Sequence, residues 1–233
     1  MDAPELKAWR TAERERLVAA RRALDPATLQ RHRAAIDAHL ECAFPGLAAR
    51  IVAFCWPIRN EYDARHLATT LRGRGALTAL PVVVAPRAPL EFRLWQPGDA
   101  LASGPLGIPY PAAGDAVLPE VALVPMNGFD AQGYRLGYGG GFFDRTLGAL
   151  AAQGTKPVAI GVAYEAARLE TIHPQDYDVP MDYVVTERGV YQRCDGGLEM
   201  LQAPAQAVTG PGYSSPACEA HLVAPDYFGE PDR

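Results

Sequence analysis

Apolar residues follow a helical period in the first part of the chain and form short continuous runs after residue 50. Residues 4–24 predict a helix, because their apolar side chains recur near helical spacing. Asp25 and Pro26 have the residue types of an N-cap and a first helical position, so they predict the start of a second helix that ends near Pro45. The N-terminal segment is therefore predicted to form two helices.

Five apolar runs predict strands of the kind that are buried on both faces of a sheet. The runs are IVAFCW at 51–56, LTALPVVV at 77–84, VALVP at 121–125, VAIGVAY at 158–164 and YVVT at 183–186. Helix-like segments occupy residues 63–72, 142–152 and 164–170. This alternation predicts an α/β fold with a mostly parallel sheet.

Two segments do not follow this alternation. Residues 85–120 contain seven prolines and one short strand candidate, LEFRLW, and we interpret them as a wall or lid over a site. Beyond Glu187 the pattern weakens, and residues 204–233 hold five prolines and three glycines. We therefore predict a single domain over residues 1–187 and a flexible, Pro/Gly-rich extension over residues 188–233.

Composition narrows the possible function classes. The chain has 233 residues and a net charge of −5, which does not favour nucleic acid as a partner. It contains no run of about 18 apolar residues, so no membrane span is predicted. The four cysteines lack CxxC spacing and fit free thiols in a reducing compartment better than a zinc site or a disulfide framework. We expect a cytoplasmic protein.

The most informative segment is VPMNGFDAQGYRLGYGGGFFDRTL at 124–147. Its glycines let backbone N–H groups approach an anion, and the predicted helix that follows adds its positive N-terminal end. Arg135 lies inside this segment, where its guanidinium is suited to charge-assisted hydrogen bonds with phosphate, although a surface arginine is the simpler alternative. The segment therefore predicts a polyphosphate site.

Carboxylates near this segment are candidate metal ligands. Asp144 lies in the first turn of the predicted helix, where it either caps backbone N–H groups or binds a hard cation such as Mg²⁺. Asp178 shares a loop with Asp176 and Asp182, just before the last predicted strand. A second ligand to the same ion is expected from this loop, and the residues alone do not choose among the three.

Further candidates come from the first strand and the first helix. Glu61 follows the first strand, at the edge where open α/β sheets bind ligands, or it is an exposed loop carboxylate. Trp56 and Phe92 either form an aromatic wall for a flat ring or belong to the core. The first helix also carries a basic stripe, which on spacing alone indicates a solvated charged face; it consists of Lys7, Arg10, Arg14 and Arg21.

The glycine-rich segment resembles the signature of the 5-formyltetrahydrofolate cyclo-ligases, also called methenyltetrahydrofolate synthetases. It combines P-x-x-x-F-D, G-x-R-L-G-x-G and G-G-aromatic-aromatic-D-R elements in the order of that family. The resemblance extends over residues 5–187 through the basic helix and the sequences WPIRNE, LEFRLWQPGD, GPLGIPYP and DVPMD. It implies a Rossmann-like, three-layer α/β/α domain that acts as a monomer.

The resemblance also implies an activity. An ATP- and Mg²⁺-dependent enzyme would convert 5-formyltetrahydrofolate, possibly as a polyglutamate, to 5,10-methenyltetrahydrofolate and release ADP and phosphate. ATP would phosphorylate the formyl oxygen and so turn it into a leaving group. The task of the protein would then be to position the γ-phosphate and to stabilise its charge.

Site residues follow from the resemblance position by position. The ATP-binding residues would be Lys7, Arg10, Arg135, Leu136, Gly137, Tyr138, Gly139, Gly140, Gly141, Phe142 and Phe143. The substrate-binding residues would be Trp56, Glu61, Phe92, Tyr138, Gly139, Gly140, Gly141 and Phe142. The catalytic residues would be Arg135, Tyr138 and Phe142, and the metal ligands would be Asp144 and Asp178.

Two positions depart from the family pattern. The family often has a lysine four residues before the arginine of the first helix, whereas Leu6 occupies that place and Lys7 follows it. A one-residue offset turns a helical side chain by about 100°, so we rank Lys7 below Arg10. Phe143 replaces a tyrosine that commonly precedes the aspartate, which removes one hydroxyl group.

Two other functions are compatible with parts of the sequence. A relative that has lost catalysis could bind a folate or a nucleotide as a sensor or regulatory partner, because a fold does not guarantee an activity. A dinucleotide-dependent dehydrogenase is disfavoured, because no acidic residue follows the glycine cluster at a strand end about 20 residues later. The joint presence of Arg135, Asp144, Asp178 and Glu61 favours the enzyme.

Overall fold

The computed structural model describes residues 1–104 and 107–202. Four α-helices lie in this part of the chain: α1 (Ala3–Arg22), α2 (Pro26–Ala43), α3 (Arg65–Gly73) and α4 (Phe142–Ala152). The strands are β1 (Ile51–Ala53), β2 (Leu77–Val82), β3 (Glu91–Leu94), β4 (Leu101–Ser103), β5 (Pro109–Pro111), β6 (Ala116–Val117), β7 (Val121–Pro125), β8 (Gly128–Phe129), β9 (Arg135–Leu136), β10 (Val158–Val162), β11 (Tyr183–Thr186), β12 (Gly189–Cys194) and β13 (Gly197–Gln202).

Local capping explains where the first two helices begin. The Asp2 side chain accepts a hydrogen bond from the Glu5 N–H and the Glu5 side chain accepts one from the Asp2 N–H, which is a capping box. Asp25 accepts from the Thr28 N–H and Pro26 is the first helical residue of α2, as predicted. The two N-terminal helices are therefore confirmed.

The central sheet has nine strands in the order β13-β12-β11-β10-β7-β1-β2-β3-β6. Its five middle strands, from β11 to β2, are parallel, and antiparallel strands extend both edges. Alternate residues of β7 face opposite sides: Val121 and Leu123 pack with α2 and α3, whereas Ala122 and Val124 pack with α4. The sheet thus lies between two helical layers, which confirms the three-layer α/β fold.

Some predicted elements differ from the observed ones. The segment 164–170 forms only one short 3-10 turn, Glu165–Ala167, instead of a helix. The proline-rich stretch contains β3 as predicted, but also β4, β5 and β6. These additional strands are two or three residues long, and β5 includes Pro109 and Pro111, which a strand tolerates only at an edge.

The sheet continues past the predicted boundary at Glu187. Residues 189–202 form β12 and β13, which pair antiparallel with β11 and with each other. Residues 189–202 therefore belong to the sheet and not to a flexible extension, and Val190 and Tyr191 are buried in the two core clusters. Residues 203–233, the rest of the predicted extension, lie outside the described residues.

Two further observations concern the predictions made from composition about membrane spans and cysteines. None of the helices in the described ranges combines the length and the apolar character of a membrane span. Cys55 and Cys194 are free thiols, which confirms the expectation for these two residues.

Candidate functional site

A cavity of about 890 Å³ opens at the carboxyl ends of the parallel strands. Its walls come from α1, from the segment after β1, from the glycine-rich loop before α4, and from the loop at 175–178. This is the position at which open α/β sheets bind their ligands, and the volume is in the range of small-molecule sites. The cavity therefore joins segments that are far apart in the sequence.

Almost every residue predicted for the site lines this cavity. The group comprises Lys7, Arg10, Trp56, Glu61, Arg135, Leu136, Gly137, Tyr138, Gly139, Gly140, Gly141, Phe142, Phe143, Asp144 and Asp178. Of the predicted site residues, only Phe92 is not part of the lining. The candidates thus form one site.

The glycine-rich loop reaches α4 through residues with positive φ. Gly139 has φ +92° and Gly141, the N-cap of α4, has φ +61°, so a side chain at either position would strain the backbone. No side chain caps the N-terminus of α4. The first N–H groups of this helix therefore lie beside the cavity without a side-chain cap, as an anion-binding loop requires.

Arg135 forms a bidentate ion pair with Asp144. Its Nη1 and Nη2 atoms each donate to one carboxylate oxygen of Asp144 at 3.0 Å, and Nη1 also donates to the Val179 carbonyl at 3.3 Å. The Arg135 side chain is 4% exposed. The guanidinium thus pairs with a carboxylate in this structure, and its role toward phosphate stays a prediction.

Asp178 forms an ion pair with Arg10 of α1. Arg10 Nη2 lies 2.6 Å from Asp178 Oδ2 and also donates to the His173 carbonyl at 2.8 Å. The neighbouring alternatives do not line the cavity: Asp182 pairs with Lys156 at 2.7 Å, and Asp176 is absent from the lining. Of the three loop aspartates, the structure brings only Asp178 to the site.

The two predicted metal ligands are neighbours. Asp144 Oδ1 accepts a hydrogen bond from the Val179 N–H at 3.1 Å, so its carboxylate contacts the residue next to Asp178. The described residues contain no cluster of three or more His, Cys, Asp and Glu side chains suited to a metal. Mg²⁺ is commonly held by one or two carboxylates together with phosphate oxygens, and this donor pair fits that type of site.

Glu61 is the buried carboxylate of the site. Tyr138 donates its hydroxyl hydrogen to Glu61 Oε1 at 2.7 Å, and the Ile58 N–H donates to Oε2 at 3.0 Å. Arg21 donates to the Tyr138 hydroxyl oxygen at 2.9 Å and lies 3.7 Å from Oε1. Burial raises the pKa of Glu61, and these hydrogen bonds oppose that rise. Glu61 is therefore not the exposed loop carboxylate of the alternative interpretation.

The family model for 5-formyltetrahydrofolate cyclo-ligases matches residues 6–187. The chain belongs to the 5-formyltetrahydrofolate cyclo-ligase family. The cyclo-ligase of Escherichia coli (strain K12) is 32% identical over 178 residues, which are 74% of this chain and 97% of that protein. The one of Mycolicibacterium smegmatis is 33% identical over 156 residues, 62% of this chain and 77% of that protein.

A solved structure supports the same assignment. The NMR structure of Aquifex aeolicus 5,10-methenyltetrahydrofolate synthetase is similar with a TM-score of 0.68 and 25% identity, covering 86% of this chain and 99% of that one. The recognition of the family and the fold class are thereby confirmed. The chain is an enzyme of this ligase family, and its family belongs to folate one-carbon metabolism.

Two arginines of the site were not predicted as ligand-binding residues. Arg14 donates from Nε to the Gly137 carbonyl at 2.7 Å, and burial together with the charge of Arg10 lowers its pKa. Arg145 donates to the Gly140 carbonyl, and its guanidinium lies 5.2 Å from the centre of the Phe142 ring. The basic stripe of α1 was the sequence signal for Arg14, and the D-R element was the signal for Arg145.

The structure does not bring Phe92 to the cavity. The Phe92 side chain is 4% exposed and packs in the core cluster that contains Ala53, Ala79 and Val124. Trp56 lines the cavity, 4.7 Å from the Arg65 guanidinium and 5.9 Å from the ring of Trp95. The proposed aromatic wall therefore includes Trp56, whereas Phe92 belongs to the core.

Replacing these two aromatics should separate stability from binding. We expect Phe92→Ala to lower the free energy of unfolding by about 3–5 kcal/mol, because it leaves a cavity in the core. Its affinity for 5-formyltetrahydrofolate should remain near wild type in the cold, where the variant is still folded. Trp56→Ala is the matched variant and should weaken folate binding with a smaller loss of stability. Urea unfolding measures the stability of each variant, and equilibrium titration measures its affinity for folate. A Phe92→Ala variant of normal stability would contradict the assignment of Phe92 to the core.

Proposed function

We propose that the chain converts 5-formyltetrahydrofolate to 5,10-methenyltetrahydrofolate with cleavage of ATP to ADP and phosphate, in the presence of Mg²⁺. The observation that carries this proposal is the single cavity that joins a glycine-rich helix N-terminus, arginines and two neighbouring carboxylates with the buried pair of Glu61 and Tyr138. The glycine-rich loop, the arginines and the two carboxylates suit a metal–triphosphate, and the pair of Glu61 and Tyr138 suits a flat, polar ring. Family membership and the names of the relatives support the same reaction.

The phosphate side of the cavity would hold ATP. The loop from Gly137 to Phe143 presents N–H groups, and Arg10, Arg14 and Arg145 supply positive charge at its border. Asp144 and Asp178 would hold Mg²⁺, which supplies charge neutralisation at the phosphate oxygens. Arg10 and Arg135 form ion pairs with these two carboxylates. Both arginines would therefore lie next to the phosphate groups of ATP. They would bind the phosphate oxygens once the carboxylates bind the metal.

The folate side of the cavity would orient the formyl group. Glu61 accepts hydrogen bonds and would hold the pterin edge, while Trp56 would cover a ring face. Tyr138 and Phe142 also line the cavity and would border both substrates. This arrangement would place the formyl oxygen against the γ-phosphate, and such positioning is a main source of rate in phosphoryl transfer.

The proposed reaction has two bond-forming steps. The formyl oxygen attacks the γ-phosphorus, the bond to ADP breaks, and an iminium phosphate forms. The anilino nitrogen of the folate then attacks the formyl carbon, loses its proton, and the carbon–oxygen bond breaks to release phosphate. The protein residues bind, orient and neutralise charge throughout, and none of them forms a covalent bond.

An absorbance assay tests the proposal. Purified chain is mixed with 5-formyltetrahydrofolate, ATP and Mg²⁺, and the ultraviolet absorbance of the methenyl product is followed together with ADP release. We expect one ADP for each product molecule, and no product when ATP is omitted or the metal is chelated. Measurable folate or nucleotide binding without any product would overturn the proposal in favour of a relative that binds without catalysis.

A further inference from the structure

A second, smaller chamber of about 70 Å³ lies behind Glu61. Apolar side chains of α1 and of the strand ends, among them Leu17, Met126 and Val162, line it together with several polar residues. Glu61 is the only described residue that lines both this chamber and the large cavity. Groups inside the chamber therefore reach the ligand site through Glu61.

Asn127 contributes an unpaired amide to this chamber. It is 2% exposed, and neither its Nδ2 nor its Oδ1 atom has a hydrogen-bond partner within the described part of the chain. The Nδ1 atom of His32, which also lines the chamber, is buried without a partner there as well. Buried polar groups are nearly always hydrogen-bonded, because leaving one unsatisfied costs its desolvation energy. Three unpaired polar atoms on two residues that line one small space thus indicate a polar occupant.

Water fits this chamber best. About 10–15 Å³ of such space accommodates one water molecule, which then needs two to four polar partners. The Asn127 amide, His32 and Glu61 offer both donors and acceptors around a space several times that size. A larger organic ligand does not fit in this volume.

We propose that Asn127 is a positioning residue for Glu61, which it reaches through water held in this chamber. The inference rests on the proposed function, in which Glu61 holds the folate. Water that Asn127 anchors would donate a hydrogen bond to the Glu61 carboxylate and keep the side chain turned toward Tyr138. Asn127 would therefore act on folate binding without touching the folate.

The charges and hydrogen bonds around Glu61 determine whether loss of the water raises or lowers the pKa of this carboxylate. Arg21 and Arg59 face this carboxylate with positive charge, Tyr138 donates to it, and burial raises its pKa. Other titratable groups around it include Cys55, Tyr62, Tyr164 and His32. A hydrogen bond donated to the ionised carboxylate lowers its pKa, so loss of the Asn127 water should raise the pKa of Glu61 further.

The test compares folate binding by Asn127 variants over a range of pH. Asn127→Leu keeps the branched shape of the side chain but removes its donor and acceptor, and Asn127→Ser keeps a polar group. The dissociation constant for 5-formyltetrahydrofolate is measured without ATP from pH 4.5 to pH 8. For Asn127→Leu we expect the acidic limb of binding to move upward by about half to one pH unit, because one hydrogen bond is worth about that shift. Asn127→Ser should stay near wild type.

Two comparisons decide the outcome. In the Glu61→Gln background the acidic limb should be absent, and Asn127→Leu should have no further effect on it. An unchanged limb in Asn127→Leu, or a shift that persists without Glu61, would overturn the inference. If the wild type does not bind 5-formyltetrahydrofolate, the proposed function fails instead. A crystal structure at high resolution then tests whether the chamber holds water. Ordered water between Asn127 and Glu61 supports the inference, and a dry chamber refutes it.

Discussion

Replacing Asp144 by asparagine is expected to lower turnover by more than about 100-fold, because a neutral amide is a poor ligand for Mg²⁺ and charge neutralisation by a metal supplies several kcal/mol in the transition state. The same change breaks the bidentate pair with the buried Arg135. Removing one partner of a buried pair costs about 3–5 kcal/mol, and since the asparagine oxygen still accepts one hydrogen bond we expect about 2 kcal/mol here. The methenyl absorbance assay and urea unfolding measure the two effects.

Asp130, a second aspartate of the same segment, offers a control variant in which stability is lowered without loss of a metal ligand. Asp130 is buried outside the cavity lining and accepts hydrogen bonds from the N–H groups of Gln132, Tyr134 and Ile172. Asp130→Asn should therefore destabilise the fold while its turnover in the cold stays near wild type. Mg²⁺ together with ATP should raise the melting temperature of Asp130→Asn but not that of Asp144→Asn. Wild-type turnover by Asp144→Asn would remove this residue from the metal site.

The parts of the fold that depend on local signals could be predicted from the sequence. The strands β7 and β11 and the helix α4 have the predicted bounds, because a continuous apolar run or a glycine before an amphipathic segment marks them locally. The hairpin of β12 and β13 was missed, although its turn holds Asp195 and Gly196, a residue pair typical of two-residue hairpins. Its alternation of polar and apolar residues is weak, and the proline-rich composition of the residues that follow indicates a flexible segment.

The sequence predicts which residues line the site more fully than it predicts which of the charged residues form ion pairs. Glycines and arginines in one short segment indicate a phosphate site by themselves, whereas an ion pair depends on which distant segment folds back. Arg10 and Asp178 are 168 positions apart, and nothing in either local sequence indicates the other. The same holds for Arg21, Tyr138 and Glu61, which come from three separate segments.

Phe92 shows where residue type misleads. An aromatic residue on a strand beside a ligand site points either into the site or into the core, and alternation along the strand decides which. In β3, Phe92 faces the core, and Leu90, which lines the cavity, precedes the strand and does not follow its alternation. The parity of a four-residue strand could not be fixed from the sequence, because its neighbours in the sheet were not known.

Ending the chain at Glu187 is expected to abolish folding, although the family match ends there. The truncation removes β12, whose residues Val190 and Tyr191 are buried on opposite faces of the sheet. Burying these two side chains contributes about 3–6 kcal/mol, a large part of the 5–15 kcal/mol that typically stabilise a domain. The truncation also leaves the backbone of Tyr183–Thr186 without its antiparallel partner, and an unpaired apolar edge of this kind promotes aggregation.

A chain that ends at Gln202 is the matched comparison, since it retains every described strand. We expect it to be soluble and to show a cooperative thermal transition, whereas the chain that ends at Glu187 should accumulate as insoluble protein. Solubility after expression, circular dichroism and the turnover assay measure the difference. A soluble and active chain of residues 1–187 would mean that the hairpin adds little to the core, and the domain boundary at Glu187 would then stand as the sequence predicts.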